Sequence, residues 1–169
     1  QATADGKAAL EQIKGVKVIG GLSSTFEHID LRLSAFQGQP EYKGVFAASG
    51  GKKAFDLRRA FLLAVPRAEI IEKVIKPLNP AIPVLNSFIT VPGEPGYENL
   101  ARNNGSSYYA GSQADLNKRA IALVKKWYPD AMTNPIKILM FVPANNTRRT
   151  DMFALLKANA RKVGFDVTG

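Results

Sequence analysis

Cysteine is absent from this sequence of 169 residues. Its absence excludes disulfide frameworks, Cys-ligated zinc, iron–sulfur clusters and thiol catalysis. Histidine occurs once, at His28, which excludes a His-rich metal site and leaves one candidate for a general base near neutral pH. No apolar run approaches the roughly 20 residues that cross a bilayer, so we expect no membrane span. These shortages argue against an enzyme, and we expect neither a metal nor a cofactor.

The remaining composition suits one ordinary domain. The chain has a mass of 18.3 kDa and is 46% hydrophobic, which is enough for a core without disulfides or metal. We therefore expect a single domain over residues 1–169. The chain begins at Gln1 rather than Met, and residues 164–169 resemble a strand that stops soon after it begins. Both ends predict a fragment of a longer protein.

Positive charge exceeds negative charge, with a net charge of +9. This excess is typical of proteins that bind nucleic acids or anionic surfaces, and also of ordinary basic domains. The Lys and Arg pairs are spread over separate segments, and no zinc-finger, basic-zipper or RNA-stacking pattern accompanies them. The pattern therefore favours a basic domain that does not bind nucleic acid.

The first third of the chain carries short helix and strand patterns. Apolar spacing predicts a helix over residues 4–14 and a strand over residues 16–19. Apolar and polar residues alternate over residues 26–36, which predicts a half-buried strand. A further short strand is predicted at Val45 and Phe46.

The middle of the chain predicts two helices followed by a loop. Helical spacing covers residues 55–65, and Pro66 begins a second helix that Pro77 ends. Residues 78–112 are rich in proline and glycine and predict a long irregular stretch. Loops of this length are uncommon and tend to be functional.

The last third predicts a βαβ unit. Ser112 begins a capping-box-like sequence for a helix that ends at Trp127. Residues 136–142 predict a strand covered on both faces, and a helix that Gly164 ends leads into a parallel strand over residues 165–167. The predicted class is α/β, or α+β with a mixed sheet. The residues predicted to face the core are Leu116, Ala120, Leu123, Val124 and Trp127 in the first helix and Met152, Leu155, Leu156, Asn159 and Val163 in the second.

Three segments resemble functional sites. Residues 44–53 resemble a phosphate-binding loop but lack its second glycine and the Ser or Thr after Lys52. Asn145 and Asn146 precede a helix, where they could bind a polar ligand or simply cap the helix. His28 and Asp30 share one face of the predicted strand, but no nucleophile motif accompanies them.

Residues 55–71, with the sequence FDLRRAFLLAVPRAEII, resemble a family signature. The sequence is similar to the Asp–x–Arg–x–Ala pattern of a helix pair in the extracytoplasmic solute-binding proteins of peptide-type ABC importers (bacterial family 5). Residues 29–36, 114–127 and 136–167 resemble further parts of the family in the expected order. The chain departs from the pattern at Pro66, where the family has Asp. It also departs at residues 126–129, where the family has Ala–Gly.

The resemblance implies most of the C-terminal lobe of a type II periplasmic-binding-protein fold. Such a protein is a bacterial lipoprotein that works outside the cytoplasm, binds a peptide-like solute between two lobes and passes it to a membrane permease, without catalysis or cofactor. We expect Asn86, Phe88, Asn145 and Asn146 to face the ligand. Two alternatives remain open: an enzyme domain whose active site lies on other chain, and a basic domain that binds nucleic acid or an anionic surface.

Overall fold

The computed structural model describes residues 3–21 and 26–169. These residues form a mixture of helices and one small parallel sheet, as the predicted α/β class requires. A π-helical segment, Ile71–Ile75, continues α3. None of the helices in the described residues is long and apolar enough to cross a bilayer. The elements are α1 (Ala4–Glu11), α2 (Gly51–Leu63), α3 (Arg67–Ile70), α4 (Tyr97–Asn103), α5 (Gln113–Trp127), β1 (Ile136–Leu139), α6 (Thr147–Lys162) and β2 (Phe165–Thr168).

The chain divides into two compact units. The first unit comprises the described part of residues 1–26 together with Pro66–Tyr108 and Phe141–Leu155. It contains α1, α3, α4 and the first half of α6. The second unit comprises Glu27–Val65, Tyr109–Met140 and Leu156–Gly169. It contains α2, α5, both strands and the second half of α6.

The sheet has two parallel strands, and α6 connects them. Ile136 of β1 pairs with Phe165 of β2, and the register continues to Leu139 and Thr168. The βαβ prediction is confirmed, but the strand is shorter than the predicted 136–142. Burial alternates along β1, with Ile136 and Ile138 buried and the residues between and after them exposed. The prediction of a strand covered on both faces is therefore wrong, since only one face of β1 packs on the core.

The three strands predicted in the first third of the chain do not form. Residues 16–19, 26–36 and 45–46 belong to no strand, so the predicted mixed sheet is also wrong for the described residues. Ile29 and Leu31 are half-buried and His28, Asp30 and Arg32 are exposed, as alternation predicts, but Leu33 is exposed and breaks the pattern. A strand additionally needs a ladder of hydrogen bonds to a neighbouring strand. In the part of the chain that the structure describes, this segment belongs to no sheet, although the Leu33 carbonyl accepts a hydrogen bond from the Ala48 amide at 2.7 Å.

The core of the second unit lies where α2 packs against α5 and the inner face of the sheet. Phe61 of α2 meets Phe165 of β2 edge-to-face at 5.4 Å between ring centroids, and Phe46 lies 5.3 Å from Phe61. Edge-to-face pairs of this kind add to the free energy of burial. The residues buried around them include Leu57, Ala60, Leu63, Leu116, Ala120, Val124, Leu156 and Val167.

The helix starts at Ser112 and Pro66 follow the sequence closely. The Ser112 hydroxyl accepts a hydrogen bond from the Asp115 amide at 3.2 Å and donates to its carboxylate at 2.7 Å. Pro66 is the N-cap of α3.

The prediction of an irregular stretch over residues 78–112 is partly wrong, because the stretch contains α4 and a 3-10 turn, Ser106–Tyr109. Tyr97 at the start of α4 is buried and accepts a hydrogen bond from the Asn86 amide, and the helix is too short for periodicity to reveal.

The carboxyl end of α2 is capped by side-chain amides rather than by glycine. Asn159 of α6 is 4% exposed and donates to the Ala64 carbonyl at 2.8 Å. Gln113 of α5 donates to the Leu63 carbonyl at 2.9 Å. Asn117 exchanges two hydrogen bonds of 2.9 Å with Asn159. The network satisfies carbonyls that every helix end leaves without an intrahelical partner.

Replacing Asn159 by alanine is expected to lower the free energy of unfolding by about 2 kcal/mol, because the Ala64 carbonyl would stay buried without its donor. Urea unfolding measures this change. The matched control is Asn117→Ala, which removes the same amide pair and the hydrogen bond from Gln113 to Asn117 but leaves the hydrogen bond to Ala64, and should cost roughly half as much. Equal losses in the two variants would contradict a capping role for Asn159.

Candidate functional site

Asn86 is the best-anchored residue of the predicted ligand-facing set. Its side-chain oxygen accepts a hydrogen bond from the Arg67 guanidinium at 3.0 Å. Its backbone amide donates to the Tyr97 hydroxyl at 3.2 Å, and its carbonyl accepts from the Asn104 amide at 2.5 Å. The start of α3 and both ends of α4 therefore hold one position of the loop between these two helices.

Arg67 fixes the loop from the start of α3. Its guanidinium donates to the Leu85 carbonyl at 3.3 Å as well as to Asn86. Burial lowers the pKa of Arg67 from its usual value, and Tyr97 opposes that change. An arginine stays charged in a protein, so the first unit contains a half-buried positive charge beside Asn86. Arg67 was part of the signature, but nothing in the sequence linked it to a loop 19 residues away.

Phe88 projects from the same loop. It is 74% exposed, and its ring packs against Phe26 with centroids 5.1 Å apart. Ser87 orders the adjoining turn, since its hydroxyl accepts hydrogen bonds from the amides of Ile89 and Thr90. Ile89 is 80% exposed. The loop thus presents apolar side chains outward from a backbone that is fixed on either side of Phe88.

Asn145 and Asn146 lie before α6, in a different segment of the first unit. The Asn146 side-chain oxygen accepts a hydrogen bond from the Arg149 amide at 2.9 Å, and its carbonyl accepts from the Thr150 amide at 3.0 Å. These contacts give Asn146 the helix-capping role that the sequence offered as the alternative to ligand binding. Asn145 is exposed.

His28 and Asp30 meet as their spacing predicts, with 3.2 Å between the imidazole Nε2 and the carboxylate. Their side chains are 47% and 89% exposed. Catalytic pairs depend on water-excluded surroundings, and a pair this exposed lacks them. The segment that resembled a phosphate loop forms a 3-10 turn, Ala48–Gly50, and the start of α2.

Asp56 of α2, in the second unit, is a buried acid whose pKa is lowered by its partners. Its side chain is 1% exposed and receives hydrogen bonds from Lys52 at 2.5 Å, Lys126 at 3.1 Å and the Trp127 indole at 3.0 Å. The hydrogen bond from Lys52 is the largest cause that lowers the pKa of Asp56 to about 2, against the opposing effect of burial. The carboxylate is ionised with both oxygens occupied, so it joins α2 to α5 and is a poor proton acceptor.

Asp56 belongs to the family signature, but the signature does not indicate that Trp127 and Lys126 bind it. Trp127 was interpreted as a core residue, and it is half-buried with its indole nitrogen on Asp56. Tyr108 and Tyr109, at the end of the long predicted loop, are both half-buried.

In residues 3–21 and 26–169, no group of three or more His, Asp and Glu side chains could hold a metal ion.

We compared the chain with protein families, curated proteins and solved structures. No protein-family model matches the chain, and neither a curated protein nor a solved structure is significantly similar to it.

Proposed function

We propose that this chain forms part of the C-terminal lobe of a solute-binding protein with the type II periplasmic-binding-protein fold. In this role it binds a peptide-like solute outside the cytoplasm, as a lipoprotein that serves the permease of an ABC importer, and it performs no chemistry. The observation that carries the proposal is the loop anchored at Asn86, which presents Phe88 outward from a fixed backbone. A rigid support below an exposed aromatic side chain is typical of ligand sites.

The residues of the signature make their contacts in both units, and their roles differ between the two. Asp56 binds α5, and Arg58 donates to the Phe46 carbonyl at 2.8 Å, so both stabilise the second unit internally. Arg67, at the other end of the signature, holds Asn86 in the first unit. The signature in this proposal is therefore a structural element, and the loop that it supports contacts the solute.

Each residue of the expected ligand-facing set has a distinct role in the proposal. Phe88 packs against an apolar side chain of the solute. Asn145 donates or accepts a hydrogen bond with the solute backbone, since its amide offers both kinds of group. Asn86 positions the loop through its three partners, and Asn146 caps α6 so that Asn145 is held in place.

The test uses the natural protein that contains this sequence, with a pool of peptides of about two to five residues as the probe. Native mass spectrometry should detect bound peptide, and titration calorimetry should give its dissociation constant. Phe88→Ala is expected to weaken binding by roughly tenfold to a hundredfold, because a buried aromatic contact contributes about 1.5 to 3 kcal/mol.

The matched control is Phe36→Ala, which removes a phenylalanine that is 67% exposed in the second unit. We expect this variant to bind the peptide pool as the unchanged protein does. Equal weakening in both variants, or no peptide bound by the unchanged protein, would contradict the proposal.

A further inference from the structure

The positive charge of this protein is concentrated on one pair of helices. α2 and α5 each carry four Lys or Arg residues and one Asp, which accounts for six of the nine net positive charges of the chain. The two helices pack directly against each other within the second unit. Charges that are spread over the sequence are therefore gathered by the fold.

The surface of this helix pair combines cations with aromatic rings, and Arg59 and Tyr128 are half-buried within it. The ammonium of Lys52 lies 5.2 Å from the centre of the Phe55 ring, and the Arg59 guanidinium lies 5.5 Å from it. The ammonium of Lys53 lies 4.2 Å from the centre of the Tyr128 ring. We define the basic–aromatic face by Lys52, Lys53, Phe55, Arg59, Lys126 and Tyr128.

Asp56 holds two lysines of this face in place and neutralises only part of its positive charge. Lys52 and Lys126 share the one buried carboxylate, while their side chains remain 61% and 51% exposed. Four cations and one inner acid leave a net charge of +3 on the face. Phe55, which is 45% exposed, lies among these cations.

We propose that the basic–aromatic face docks on an anionic phospholipid surface. Lysines on long flexible chains suit a fluid layer of phosphate groups, which requires charge but no fixed bidentate geometry. An exposed phenylalanine among basic residues fits the boundary between headgroups and acyl chains. The docking does not depend on the proposed solute-binding function, which uses a loop of the first unit.

Two other anionic partners fit the face less well. Single-stranded nucleic acids stack their bases on free aromatic rings, whereas cations of the protein itself lie over Phe55 and Tyr128. Acidic protein segments favour bidentate arginines, whereas three of the four cations of the face are lysines and one, Arg59, is an arginine. The chemistry of this face therefore matches headgroup phosphates best.

The experiment measures co-sedimentation of the 169-residue chain with phosphatidylcholine vesicles, with and without about 30% phosphatidylglycerol. We expect binding only to the vesicles that contain phosphatidylglycerol, and a loss of binding as salt rises to about 0.5 M. Lys53→Gln combined with Arg59→Gln should weaken binding by roughly twenty-five-fold, since each basic residue near the surface contributes about fivefold. Lys52 and Lys126 are left unchanged because they hold Asp56.

The matched control is Lys14→Gln combined with Lys17→Gln, which removes the same charge from two exposed residues of the first unit. It should weaken binding by less than about twofold. Circular dichroism melting of both variants verifies that they are folded. Equal weakening by the two pairs would overturn the proposal, because the attraction would then follow net charge alone. Equal binding to neutral vesicles, or tighter binding to a single-stranded oligonucleotide at equal phosphate concentration, would also overturn it.

Discussion

Replacing Gly164 by alanine is expected to lower the free energy of unfolding by about 3 to 4 kcal/mol. Gly164 has a φ of +96°, a left-handed conformation that costs any residue with a Cβ atom. An added Cβ would lie 2.9 Å from the Ala131 Cβ and 2.6 Å from the Met132 methyl. The Gly164 carbonyl also accepts the first hydrogen bond of the sheet, from the Ile136 amide at 2.9 Å.

Gly93→Ala is the matched control for this substitution. Gly93 has nearly the same φ, +95°, and an added Cβ there would meet nothing within 4 Å. It should therefore cost about 1 kcal/mol, which is the backbone contribution alone. Urea unfolding of both variants separates the two contributions. If both variants lose the same stability, the contacts around Gly164 relax, and close packing does not explain the glycine.

Replacing Asp56 by alanine is expected to lower the free energy of unfolding by about 3 kcal/mol at neutral pH. The variant removes a buried carboxylate that receives three hydrogen bonds, and it leaves the Trp127 indole without its acceptor. Lys52 and Lys126 are more than half exposed, so they return to water at modest cost. Asp56→Asn keeps an acceptor for the indole and should lose less.

The pH dependence of stability isolates the charge of Asp56. Its pKa falls from 3.8 to about 2 on folding, so the unfolded chain binds the proton more readily than the folded chain. The charge therefore stabilises the fold above about pH 4, and this contribution of roughly 2 kcal/mol is lost as the pH falls towards 2. Unfolding at several pH values should show this loss in the unchanged chain and not in Asp56→Asn. The same acid loss in both would show that the pKa of Asp56 is not lowered.

The proposed solute site and the proposed lipid-binding face respond to different substitutions. Phe88 lies on a loop of the first unit, and Lys53 and Arg59 lie on a helix of the second. We expect Phe88→Ala to leave vesicle binding unchanged, and the Lys53 and Arg59 variants to leave peptide binding unchanged. The two proposals can therefore fail separately.

Part of the candidate site was accessible from the sequence. Proline and glycine predicted a long irregular stretch after α3, and the resemblance to the solute-binding family gave Asn86 and Phe88 within it as residues expected to face the ligand. The partners of Asn86 were not accessible. Arg67, Tyr97 and Asn104 lie between 11 and 19 residues from it, and no spacing rule connects residues across a loop. The basic–aromatic face was missed for the same reason, since its cations come from two helices about 70 residues apart.

The sequence by itself determined the βαβ unit and the helices other than α4 and the short 3-10 turns. Apolar spacing, the Ser112 cap, Pro66 and Gly164 are local signals, and local signals determine where a helix begins and ends. Only the tertiary structure decided which extended segments became strands. Residues 26–36 and 136–139 both carry suitable patterns, but a strand exists only where a second segment offers hydrogen bonds, and β2 offers them to β1 alone among the described residues. The tertiary structure also decided the role of Asp56. Its partners Lys126 and Trp127 come from a distant part of the chain, and their hydrogen bonds make it the buried charge that joins α2 to α5.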